Sequence, residues 1–261
     1  MKTLSFAFAT LAACALSAHA AIVINPVSIS LTGANEFFPA DNLINGSGLE
    51  FPLNTGDTMP AILNHFYGDG GPNSWVSEDY GFPADWYERS GNIPVFVLDL
   101  GKQTTLDSVS LWAYGGGTGV AGTVSGNSAR LFEFRFNTEA QGDAIFAGPA
   151  VAVDLNHGPT SEMSGFILPR QDFPVGTQNA RYVEMRITDN WYVAPGDGST
   201  MDEHGDLIRG GDRVGLGEVT FTVPEPSSWT VLGAALVLMV ACSRSLRREK
   251  ELRGAGELAQ H

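Results

Sequence analysis

The stretch Leu131-Phe132-Glu133-Phe134-Arg135-Phe136-Asn137 decides the fold class. Phe132, Phe134 and Phe136 fall on one side of an extended chain, and Leu131, Glu133 and Arg135 on the other. Side chains alternate with a period of two only in a strand, so this segment reads as a strand with one face in a core. A second segment, Arg181–Thr188, sets Tyr182, Glu184 and Arg186 against Val183, Met185 and Ile187. Working outward, Ile22–Ser30 alternates loosely. Val95–Leu100 is a short apolar run closed by Gly101, Leu106–Tyr114 puts Val109, Leu111 and Ala113 on one face, and Leu216–Val223 ends the series. Glycines and prolines break up the rest, and no long amphipathic helix is visible. Several short strands joined by long loops predict an all-β sandwich or barrel.

The two ends differ from this middle. Lys2, the apolar run Leu4–Leu16 and Ala18-His19-Ala20 have the order of a secretory signal peptide, with cleavage expected after Ala20 by a signal peptidase. At the other end stand Pro224-Glu225-Pro226, the apolar stretch Trp229–Cys242 and a basic cluster of Arg244, Arg247, Arg248, Lys250 and Arg253. Fourteen helical residues cover roughly 21 Å. Adding Ser227 and Ser228 and letting the arginines snorkel brings the segment close to the lower limit of a span. The basic excess after it predicts a cytoplasmic C-terminus. This ordered unit resembles the PEP-CTERM sorting tail of Gram-negative surface proteins. That resemblance implies processing near Pro224, Glu225 and Pro226 by an exosortase, transient anchoring in the inner membrane, and a final place in the cell envelope or extracellular matrix. The expected division is a signal peptide at 1–20, one β domain at 21–222 and a sorting tail at 223–261.

Composition narrows the chemistry. The two cysteines, Cys14 and Cys242, fall in the signal and the tail, so the middle domain has no disulfide. Between Ala21 and Thr222 there are 25 acidic against 9 basic residues, a net charge of −16. Such a surface repels nucleic acid and anionic polymers. It suits neutral glycans, divalent cations or simple solubility. Among catalytic signatures there is no Gly-x-Ser-x-Gly elbow, no His-Glu-x-x-His, no phosphate loop and no cysteine pair within the domain. Carboxylates such as Asp85 and Glu88 are plentiful, but abundance places no pair at the separation glycoside hydrolysis needs.

A second resemblance runs along the domain. Phe38-Pro39-Ala40-Asp41-Asn42-Leu43-Ile44-Asn45-Gly46, Ser74-Trp75-Val76-Ser77, Val97-Leu98-Asp99-Leu100-Gly101, Ala180-Arg181-Tyr182-Val183 and Val214-Gly215-Leu216-Gly217-Glu218-Val219 follow in order. This order is similar to the discoidin domain, or factor 5/8 C-terminal type, on the galactose-binding-like fold. Long inserts at Leu49–Asn73 and Asp189–Asp212 depart from compact members. The resemblance implies a jelly-roll-like β-sandwich, ligand-binding loops at one end, a non-catalytic role and a structural calcium. It places the calcium oxygens at Asn45 and Glu218, with Asn42, Ser47 and Ser74 beside them. Asn45 stands where the family more often has aspartate, which removes one charge from the site. Trp75 and Trp112 take core positions.

Loop aromatics suit the apolar faces of sugars. Trp86, Tyr87, Tyr114, Trp191 and Tyr192 are the candidates, with Arg130, His204 and Arg209 as hydrogen-bonding partners. Asn45-Gly46-Ser47 matches a glycosylation acceptor, but a turn is the simpler reading. The acidic run Asp197, Asp202, Glu203, His204 and Asp206 reads as a solvated loop, with a second hard cation as the alternative. The sequence therefore favours glycan or matrix binding, ahead of a purely structural matrix protein and a glycan hydrolase.

Overall fold

A computed structural model describes residues 21–66, 72–82, 84–115, 123–157, 167–203 and 205–223. They belong to one compact unit, Ala21–Val223. The signal-peptide region, the Pro224-Glu225-Pro226 motif, the apolar stretch after it and His204 lie outside the described residues. Among the described residues, no helix is long and apolar enough to cross a membrane.

The unit is all-β. Its strands are β1 (Ile22–Ile24), β2 (Ser28–Thr32), β3 (Glu36–Phe38), β4 (Asn64–Phe66), β5 (Trp75–Ser77), β6 (Val95–Trp112), β7 (Thr123–Ser125) and β8 (Ala129–Asn137). After these come β9 (Val151–Asp154), β10 (Ile167–Asn190), β11 (Asp197–Met201), β12 (Leu207–Arg209), β13 (Gly215–Leu216) and β14 (Glu218–Val223). A 3-10 turn at Ala40–Leu43 and a short α-helix at Trp86–Ser90 interrupt them. The main sheet runs β1-β14-β6-β10-β8-β9, with β2 added to β6 and β4 to β10. A small sheet, β13-β5-β3, packs across it through Trp75, whose ring meets Phe96 edge-on at 4.8 Å. The third sheet, β11-β12-β7, is built from the late insert and carries the only parallel pairing among the sheets described, β12 with β7.

The alternation in β8 is confirmed where it mattered. Phe132 and Phe134 are fully buried beside Met185, Val183 and Ile187 of β10. On the outward face, Arg135 bonds Glu184 across the pair and Glu133 along its own strand, both at 2.9 Å. Trp75 and Trp112 are buried, as expected of core positions. Two expectations about length needed correction. Val95–Leu100 and Leu106–Tyr114 are not separate strands, because β6 runs through Gly101. Gly101 takes a left-handed φ of 77°, and its N–H donates to the Asp99 carboxylate at 2.7 Å. Arg181 grips the same carboxylate at 3.1 Å, so the bend is fixed from both strands. β10 likewise begins at Ile167, well before Arg181. Pro169 and Pro174 hid this, but each sits in register with a partner, Asn64 and Ser108.

Candidate functional site

The first polar site joins the ends of the domain. Asn42 ends its buried amide on two carbonyls, donating to Pro72 O at 2.8 Å and Ser74 O at 2.9 Å. Its own Oδ1 accepts from the amide of Asn45 at 3.3 Å. Asn45 Oδ1 caps the N–H of Ser47, and Ser47 Oγ reaches Asn73 O at 3.5 Å. Glu218 arrives from β14, 172 residues later, and its Oε1 accepts from Gly46 N–H at 3.1 Å. The fold thus brings Asn42, Asn45, Ser47, Ser74 and Glu218 to one loop cluster.

Glu218 is 3 % exposed, and burial pushes its carboxyl well above the ordinary glutamate range, with the Gly46 bond pulling the other way. Its Oε2 and the Ser74 Oγ are buried with no hydrogen-bond partner among the described residues. A buried carboxylate oxygen without a donor favours a proton or a cation. These orphaned oxygens fit an oxygen-ligated ion such as calcium. Asn45 is exposed and its Oδ1 is already engaged, so the glutamate carries more of the site than the sequence suggested.

His65 belongs to the same cluster, and sequence reasoning missed it. The ring is fully buried, and its Nε2 lies 3.1 Å from Asn73 O. Two glycines make room for it. A Cβ on Gly48 would lie 2.1 Å from Nε2, and one on Gly217 would lie 3.2 Å from Nδ1. Desolvation lowers the His65 pKa to about 4, so the ring is neutral at neutral pH. Only the Gly-x-Gly before Glu218 and Gly48 hinted at a close approach, and neither names its partner.

The expected ligand aromatics are placed differently. Trp86, Tyr114 and Trp191 are 0 %, 6 % and 2 % exposed, so their faces are covered by protein. Trp191 donates its indole N–H to Leu155 O at 3.1 Å and carries the Arg130 guanidinium 4.2 Å above its ring. Arg130 is further tied to Asp154 and Glu203. Tyr87 is half-buried and spends its hydroxyl on Ile187 O. These side chains close the core beneath the loops. Loop position suggested exposure, but the short helix folds Trp86 inward, with its N–H held by Gly211 O at 2.8 Å. Tyr192 is half-buried against Gly211 and Gly196, and Arg209 is exposed on β12.

Exposed aromatic rings are found on other residues. Phe37 is 55 % exposed, Phe82 51 % and Tyr80 40 %. Arg213 joins the group, with its guanidinium 4.3 Å above the Phe37 ring and an Nη2 bond to Asp79 at 2.7 Å. That bond holds the Asp79 carboxyl below its usual range. Tyr80 donates its hydroxyl to Glu78 at 3.1 Å, and its ring meets Trp86 edge-on at 6.1 Å. The backbone beneath is locked: Tyr80 N–H donates to Asp212 O, Ser77 N–H to Val214 O and Glu78 N–H to Asn35 O. A concavity of about 410 Å³ is lined by Ile29, Leu31, Ala34, Asn35, Glu36 and Pro39, among others. A braced aromatic surface with a cation and carboxylates at its edge can bind a ligand that has both apolar faces and hydroxyls.

No protein-family model matches the chain, and no curated protein matches it. Among solved structures, the chain is similar to the lectin domain of lectinolysin complexed with Lewis B antigen. The identity is 13 %, over 74 % of this chain and 90 % of that one, with a TM-score of 0.38. The family 32 carbohydrate-binding module of Clostridium perfringens NanJ, in complex with galactose, is 13 % identical over 78 % and 99 % of the two chains, at 0.37. A fucose-binding module from Streptococcus pneumoniae is 9 % identical over 77 % and 97 %, at 0.39.

Proposed function

We propose that this chain is an exported, non-catalytic glycan-binding protein. It would be sorted through its Pro-Glu-Pro tail by an exosortase to the cell envelope or extracellular matrix. The observation that carries the binding reading is the exposed Phe37 ring, linked through Arg213 to Asp79 beside the exposed Tyr80. Aromatic rings at this exposure stack against sugar C–H faces, while Arg213, Asp79 and Glu78 meet hydroxyls. The acidic domain, with its net charge of −16, repels anionic polymers and so favours neutral glycans. Calcium would sit at Glu218 and Ser74, away from the sugar, and tie the first loop to the last strand. Its part is stability and loop order, and no step of recognition runs through it.

A glycan array probed with the full chain tests the reading. Neutral glycans should bind the wild type. Phe37→Ala and Tyr80→Ala should each weaken the best ligand about tenfold or more without changing the melting temperature by more than a few degrees. Arg213→Lys keeps the charge but loses the planar fork, and should weaken it too. No neutral glycan above background would leave a structural matrix protein as the function. Equal binding by all variants would move the site elsewhere.

A further inference from the structure

Besides the Glu218 cluster, three metal-ligating side chains converge on a second place. His157 follows β9, and Asp202 and Asp206 flank the turn between β11 and β12. His157 Nε2 is 2.9 Å from Asp202 Oδ2 and 3.9 Å from Asp206 Oδ2. One ligand atom from each residue lies within 4.8 Å of the others. This is not the solvated loop that the acidic run suggested. The side chain of His157 is 8 % exposed and that of Asp202 2 %, whereas Asp206 keeps 25 % and faces an opening.

We propose that His157, Asp202 and Asp206 form a site for a transition-series divalent cation, for which zinc is the natural probe. Zinc binds imidazole nitrogen and carboxylate oxygen at about 2.0–2.2 Å. In a tetrahedral arrangement, neighbouring ligand atoms then stand roughly 3.4 Å apart. The two distances from His157 bracket that value. The imidazole excludes calcium and magnesium as the preferred occupant, because hard cations take oxygen. The ligands are already oriented. The Asp206 N–H donates to Asp202 Oδ1 at 2.8 Å, and Asp202 Oδ2 is turned to His157 Nε2 at 2.9 Å. The Trp191 ring lies edge-on to the imidazole at 4.7 Å, and its own N–H is fixed on Leu155 O, two residues before His157. Outer contacts of this kind set ligand orientation in metal sites. The ion takes the Nε2 lone pair of the tautomer that carries its hydrogen on Nδ1, and a proton competes for the same lone pair. Affinity therefore falls in acid. The ion would pin the β11–β12 turn to the chain leaving β9, two segments otherwise joined at this point by side-chain contacts.

The test uses the full chain after chelator treatment. Calorimetric titration with ZnCl2 should show one ion bound per chain, and CaCl2 should not compete for it. Co2+ should give the visible absorption of a tetrahedral site. Asp206→Asn changes a partly exposed side chain and should fold normally, yet raise the zinc Kd at least tenfold. His157→Gln should abolish binding and the Co2+ absorption, and Glu218→Gln should leave both intact. Absence of stoichiometric zinc binding, or wild-type affinity in both Asp206→Asn and His157→Gln, overturns the proposal.

Discussion

Glu218→Gln should make the metal-free protein less sensitive to alkali and blind to calcium. Burial raises the carboxyl of Glu218 in the fold, while the unfolded chain keeps the ordinary value near 4.3. The native state therefore holds a proton that the unfolded chain has released. Its contribution is fully present below about pH 4 and is lost as pH rises toward the folded value. One proton of difference gives a slope of about 1.4 kcal/mol per pH unit. For a domain of this size that corresponds to roughly 3–6 °C of melting temperature per pH unit. Glutamine keeps the shape and the acceptor for Gly46 N–H but has no proton to lose, so its curve should lack this component. Calcium at the proposed site should act on the wild type in the opposite sense, balancing the charge on Oε2. At a hundredfold excess over Kd it should add about 2.7 kcal/mol, or roughly 5–11 °C. Differential scanning fluorimetry from pH 4 to 9, with calcium and with chelator, reads both effects. Asp143→Asn, at an exposed carboxylate, serves as a control, because general screening of the acidic surface would raise every variant alike. Parallel pH curves together with equal calcium gains for wild type and Glu218→Gln would refute both the buried proton and the metal assignment.

Two further outcomes follow from the core. His65→Gln should flatten the loss of stability between pH 6.5 and 4. The unfolded histidine protonates near 6.5 and the buried one only at about 4, so wild type loses roughly 3 kcal/mol across this interval, measurable by urea titration at each pH. If wild type and variant fall in parallel, His65 is not desolvated as described. Trp191→Ala should cost about 3–5 kcal/mol and lower the melting temperature steeply, since the indole fills the space beneath Arg130 and beside His157. An unchanged melting temperature would mean that the side chain lies on the surface.

The strands of the core were legible because alternation is local. Phe132, Phe134, Val183 and Met185 announce their face from spacing alone, and a sheet buries them without further information. The buried Trp75 and Trp112 were legible for a related reason, since they sit in apolar strand contexts. The candidate oxygens Asn45 and Glu218 came from a resemblance, and the fold does bring them to one cluster. What remained hidden depends on how distant segments cover one another. Trp86, Tyr114 and Trp191 lie in loops that promise exposure, yet they are buried, with the Trp86 and Tyr114 backbone N–H groups donating to Gly211 O and Ser128 Oγ and the Trp191 indole to Leu155 O. The same covering leaves Phe37 and Tyr80 outside and sets Arg213 over the Phe37 ring, although nothing in their neighbours marks them. His65 and His157 gain their character only from what surrounds them: two glycines and the Asn73 carbonyl for one, an indole edge and two aspartates from a hairpin some 45 residues away for the other. Sequence by itself determined which segments extend and which residues could be apolar. Tertiary structure decided which polar groups lose their water, because desolvation is set by every segment that packs around a group and not by its neighbours in the chain.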